Sequence, residues 1–197
     1  MKKSFFGGSG KMPDTPDGML EALVKQVKDG KLDVIAQAVD LPVLTQERVE
    51  RMNGLIKGYA AGYTKKLFAK TVLHATDVEM QGDMQSATVL MEGKTVDILK
   101  LVVQAEAAFR EKDDELGLLS GQKLNLRKIG TVLGLVDSVL KQAEAKEVSE
   151  KIPMECREGV WEVTDPESLN RLLLGCNSEE LMQLVEEKFG PRFARRG

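Results

Sequence analysis

The chain is short of the residues on which most catalytic and metal sites depend. It has two cysteines, one histidine, one tryptophan and 5% aromatics, and no proline lies between Pro42 and Pro153. Each shortage removes a class of explanation. Cys156 and Cys176 can form one bridge at most. With no secretion signal, two free thiols in a reducing compartment are the expectation. His74 alone must serve any Ser-His-Asp arrangement. Asp77 is one turn away, but no serine or cysteine nucleophile is close in sequence. A zinc site would require Cys156, Cys176 and His74 to converge without CxxC or HxxxH spacing. No catalytic residue, metal or cofactor is therefore expected, and the chain reads as a non-enzyme.

Long apolar runs are missing too, so no membrane insertion is expected. Lys2 and Lys3 are not followed by an apolar stretch, which removes the signal-peptide pattern and makes a cytoplasmic location the expectation. A net charge of −3 gives no global reason to bind nucleic acid. The N-terminal "FFGGSGKM" imitates a phosphate-binding loop, but the early glycine position is Phe5 and the hydroxyl position is Met12. Pro13 and Pro16 also prevent an immediate helix, so residues 1–17 read as a flexible arm. Ser120 to Lys123 and Ser138 to Lys141 match Ser-x-x-Lys without its companion motifs. The run "EKDDE" (111–115) lacks the ligand spacing of a calcium loop.

The proline gap, the few aromatics and the lack of alternating β-branched runs point to a mainly α fold. "DGMLEALVKQVKDG" (17–30) is amphipathic, with Asp17 as cap, Leu20, Leu23, Val24 and Val27 on one face, and Gly30 as stop. "KLDVIAQAVD" adds a second short helix. Thr45 then caps a long heptad pattern through Val49, Met52, Ile56, Tyr59 and Tyr63. Its phase shifts at Leu67, Thr71, His74 and Val78, then resumes at Met84, Thr88, Met91, Thr95, Ile98, Val102, Ala105 and Phe109.

Residues 45–70 are basic and 71–120 acidic. A fold-back near Gly82 would align the opposite charges, which favours a long helical hairpin over one rod. A third helix over 123–148 follows, with Leu126, Ile129, Leu133, Val136, Leu140 and Ala143 inward. The expected whole is a three-helix bundle with coiled-coil character over 18–152. A small helical appendage over 153–190 is anchored by Trp161, with "GVWEV" (159–163) as a short strand. Thr164 and Ser178 are its expected helix caps, and a basic tail fills 191–197.

Two constellations suggest function. "GLIKGYAAG" spaces Gly54, Gly58 and Gly62 every fourth residue, a smooth helix face suited to close packing. With Met52, Ile56, Tyr59 and Tyr63 it forms the expected helix-packing or oligomer interface. The termini carry Phe5 and Phe6 at one end and Phe189, Arg192, Phe193, Arg195 and Arg196 at the other, mixed aromatic and cationic groups suited to partner contact. Met52, Met80, Met84 and Met91 add adaptable side chains. The expected function is a helical assembly or adaptor protein that associates with itself and with other proteins. The alternative is a nucleic-acid-associated regulator using the basic 48–70 surface and the arginine tail.

Overall fold

The computed structural model describes residues 14–39, 45–82, 84–117 and 126–190. Helices α1 (Pro16–Lys28), α2 (Leu32–Ala38), α3 (Gln46–Arg51) and α4 (Gly54–Leu67) come first. Strands β1 (Val72–Met80) and β2 (Ser86–Val96) follow, then α5 (Ile98–Glu111), α6 (Asp113–Leu116) and α7 (Leu126–Gln142). The chain continues through β3 (Ala145–Arg157), β4 (Val160–Val163), α8 (Pro166–Leu174) and α9 (Ser178–Phe189). The strands make one antiparallel sheet in the order β1-β2-β3-β4.

This sheet overturns the mainly α expectation. Among the described residues 58% are helical and 23% lie in strands, so the fold mixes α and β and is neither a helical bundle nor a coiled coil. The supposed long helix breaks first at Met52-Asn53, where Asn53 caps a new helix by accepting from the Ile56 N–H. It ends at Phe68, and the remaining seam becomes a hairpin of strands. Along β2, Ala87, Val89 and Met91 are buried in alternation, the two-residue period of a half-covered sheet. Thr76 is the extra residue of a bulge in β1, between the pairs Ala75–Met91 and Asp77–Leu90. The bulge switches the inward side from Leu73 and Ala75 to Val78 and Met80.

Gly93 has φ +140°, and a Cβ there would lie 2.0 Å from the carbonyl oxygen of Val72. Only glycine lets the two strands approach at that point. Pro153 sits inside β3, where it would normally remove a ladder bond. Its carbonyl accepts from the Thr164 N–H, 3.0 Å away, so its nitrogen also faces the β4 side, beyond the last β4 pair at Met154–Val163. The missing N–H therefore removes nothing from pairing with β2.

Helix α1 packs on β1 and β2, and α8 on β2 and β3. Leu20, Leu23, Val27, Ile35, Met91, Ile152, Met154, Leu172 and Leu173 are fully enclosed between these layers. Trp161 is buried on β4 and joins the same core. The caps differ from the sequence-based choices, by two residues at α1, where Asp17 was expected and Pro16 and Asp17 already lie in the helix, and by one at α8 and α9. Thr15 caps α1 with Pro16 in the first turn, and Asp165 caps α8. Asn177 caps α9 through a reciprocal box with Glu180.

The other sheet face is polar, bearing His74, Glu92, Glu147, Ser149 and Lys151. Val96 pairs with Ala145, and the Asp97 N–H donates to the Glu144 carbonyl at 2.9 Å, so the helices between β2 and β3 leave and rejoin the sheet at one point. No helix among the described residues is long and apolar enough to cross a membrane.

Candidate interaction surface

Helix α4 forms because Asn53 caps it, while Lys65 and Lys66 complement the negative end of its dipole. Its inward stripe is Lys57, Ala60, Ala61 and Thr64, with only Leu67 bulky. No residue of the helix is buried. The close approach that brings it to the body of the protein uses a glycine on the other side. Gly30, at φ +74°, lies where a Cβ would be 2.6 Å from the carbonyl oxygen of Ala61. The α1–α2 turn thus seats against α4 through Gly30 and Ala61, while a Cβ at Gly54, Gly58 or Gly62 would meet nothing within 4 Å.

At 100° per residue, Leu55, Tyr59, Gly62 and Lys66 fall within about 60° of arc on the opposite face. Leu55 is 72% exposed, Tyr59 52% and Ile56 51%. Of the seven residues expected to form a packing interface, Gly54, Ile56, Gly58, Tyr59 and Gly62 are exposed, with Tyr59 and Gly62 inside this arc and Gly54, Gly58 and Ile56 flanking it. Met52 is half-buried against the core. Tyr63 is half-buried too and donates from its hydroxyl to the Leu133 carbonyl of α7 at 3.3 Å. Leu55, the most exposed of the large residues on α4, lies off the heptad seam. The signal that would have found it is its i, i+4, i+7 alignment with Tyr59 and Gly62.

Helices α4 and α7 run side by side in the same direction, since Tyr63 meets Leu133 and Lys66 meets Asp137. The stripe Ile129, Leu133, Val136 and Leu140 of α7 is only partly covered, with Ile129 exposed. Asp137 binds both Lys66 and Lys141, the latter at 2.8 Å. Hydrogen bonds from Lys141 and then Lys66 hold its carboxyl down at about 2. Beyond this pair, at the C-terminal ends of the two helices, lies a cleft of about 310 Å³ lined by Leu67, Lys70, Val96, Leu140 and Ala143 among others.

The basic 45–70 segment does not lie along the acidic 71–120 segment. Among the described residues its ion pairs run from Arg51 to Glu47, Lys57 to Asp33 and Lys66 to Asp137. The expected charge-matched hairpin is absent for that reason.

The sparse chemical groups remain apart. His74 is exposed on β1, and both cysteines are free, Cys176 buried and Cys156 half-buried. Burial, then the nearby Glu180 carboxylate, pushes the Cys176 thiol up to about 11, so it stays protonated at neutral pH. No cluster of three metal-ligating side chains occurs among the described residues. Near α8, the Ser178 hydroxyl and N–H bind Glu167, an arrangement that joins the α8 and α9 starts and lowers the Glu167 pKa.

Phe189 is half-buried at the end of α9. Phe5, Phe6, Arg192, Phe193, Arg195 and Arg196 lie outside the described residues. Comparison with protein-family models, curated proteins and solved structures gives no match to this chain.

Proposed function

We propose that the protein is a non-enzymatic assembly module that associates through the open face of α4, with a second copy of the chain as the first occupant. The observation that carries this reading is the coincidence on one helix of exposed Leu55, Ile56 and Tyr59 with three glycines above which space is empty. Apolar groups left in water favour association, and a glycine stripe lets an opposing helix come close enough for backbone and side-chain packing. Fourteen residues give a contact about 21 Å long, and two copies of the same face can meet in an isologous pair.

The nucleic-acid reading draws less support. Arg51, Lys57 and Lys66 are already paired within the chain, which weakens the field available for phosphates.

Light scattering across a concentration series, at low and high salt, tests the assembly reading. A concentration-dependent rise in mass that resists salt and is lost in Leu55→Asp/Tyr59→Asp supports it. A monomer at every concentration sinks it. Co-eluting nucleic acid released by salt would favour the rival.

A further inference from the structure

The cleft at the C-terminal ends of α4 and α7 has a composition unlike the open face of α4. Leu67, Val96, Leu140 and Ala143 supply an apolar floor, and the exposed Lys66, Ala69, Lys70, Lys141 and Glu144 stand at its rim. At about 310 Å³ it falls at the lower end of small-molecule sites, which span roughly 300–1,000 Å³.

The charges at the rim are unequally satisfied. Lys66 and Lys141 share Asp137. Glu144 is held by Lys100 at 2.6 Å. Among the described residues Lys70 alone of the rim lysines meets no carboxylate, its ammonium donating instead to the Ala143 carbonyl at 2.7 Å. An ammonium has three donors, and a neutral carbonyl does not cancel its charge. The cleft therefore pairs an apolar slot with one uncompensated cation at its mouth. Aromatic stacking surfaces and a ring of hydrogen-bonding groups, which a nucleotide or sugar would use, are not among the lining residues.

We infer that this cleft binds a single-chain anionic amphiphile, its carboxylate on Lys70 and its apolar tail over Leu67, Val96 and Leu140. The lysine stems extend the apolar wall while their heads stay in water, which orients the ligand head-out. The site is separate from the Leu55–Tyr59 face and does not depend on self-association.

Calorimetric titration of the full chain with decanoate, kept below its micelle-forming concentration, tests the inference. Saturable binding at one site is expected, with decanol weaker by about two- to five-fold, the scale of an exposed ion pair. Lys70→Gln brings decanoate to the decanol level and leaves decanol unchanged, while Lys70→Arg retains the preference. Ala69→Trp, a substitution at an exposed position, fills the cleft and abolishes binding of both, with circular dichroism confirming the fold. The inference is overturned by the absence of saturable binding, or by decanoate binding that survives Ala69→Trp. It is equally overturned if Lys70→Gln weakens decanol as much as decanoate, or if only anionic vesicles bind. Loss of self-association with intact decanoate binding would remove the assembly reading alone.

Discussion

Helices α1 and α4 are nearly equal in length, 13 and 14 residues, yet α1 buries six residues and α4 buries none. The difference lies in what each turns inward. Leu20, Leu23, Val24 and Val27 reach the sheet from α1, whereas α4 offers Lys57, Ala60, Ala61 and Thr64, too small or too polar to displace much water. The contrast extends to their neighbours. Helix α8 seals Leu169, Leu172 and Leu173 against β2 and β3, while α7 buries only Val139 among its described side chains. One half of the molecule is held by enclosed branched side chains. The other is attached by a glycine seat at Gly30, a tyrosine hydroxyl and a few lysine contacts. Burial of that kind sets local stability, so the α4–α7 side is the part available for contact.

The sharpest way to break the comparison is to truncate one large side chain in each half. Ile152→Ala, in the enclosed centre of β3, is expected to cost about 3–4 kcal/mol in urea unfolding, from lost burial plus the cavity left behind. Leu55→Ala is expected to change stability by less than about 0.5 kcal/mol. Equal losses would mean that α4 is as integral as β3.

Next in size is Gly93→Ala. The added Cβ collides with the Val72 carbonyl, and the expected loss is about 2–3 kcal/mol with early exchange of β1 amides. A wild-type melting curve would show that the β1–β2 approach can relax.

Gly58→Ala runs the other way. With open space above it, alanine should stabilise the monomer by up to about 1 kcal/mol through helix propensity. The same methyl should weaken self-association, because it holds an opposing helix away. Stabilisation with unchanged association would detach the glycines from any role in assembly.

The smallest effect concerns pH. Asp137 has its folded pKa depressed to about 2 by Lys141 and Lys66, so its contribution is present above the unfolded value near 3.8 and fades as pH falls through the folded one. Acid titration of Asp137→Asn should show a shallower stability loss between about pH 4 and 2. An unaltered slope would mean that neither the Lys141 contact within α7 nor the Lys66 contact from α4 adds to stability. Glu167, lowered by Ser178 at the α8–α9 junction, supplies the matching measurement on the enclosed side through Glu167→Gln.

The elements with local punctuation were legible. Gly30 closes α1, Pro166 lies in the first turn of α8 and Gly175 in the left-handed region ends it, whereas the caps fell on Thr15 and Asp165 rather than on Asp17 and Thr164, and Pro16 opens a helix it was expected to prevent. The short strand near Trp161 was also readable from its apolar run. The three longer strands were not, because steps of four keep one side in a strand as well as in a helix, and the intervening steps of three, which change sides in a strand, were accepted as the helical seam.

Thr88, Val89, Thr95 and Val96 carried the β-branched signal, and the alternation of Ala87, Val89 and Met91 carried the period. The bulge at Thr76 scrambled that period along β1. Pro153 read as a helix breaker, although its place beyond the β4 ladder makes it harmless to the strand. The glycine stripe of α4 was visible in sequence, but the Gly30 seat that holds the helix from its other side was not. The cleft went unnoticed because Lys66, Lys70 and Lys141 come together only when two parallel helices end side by side. The i, i+4 pair Asp137–Lys141 was its one local trace.

The junction where Val96 faces Ala145 and Asp97 bonds Glu144 has a further consequence. Residues 97–144 enter and leave through one doorway, so in chain connectivity they are a cassette carried by a hairpin. A short turn grafted between β2 and β3 would preserve the ladder, and a different helical insert of similar end spacing could be spliced into the same opening.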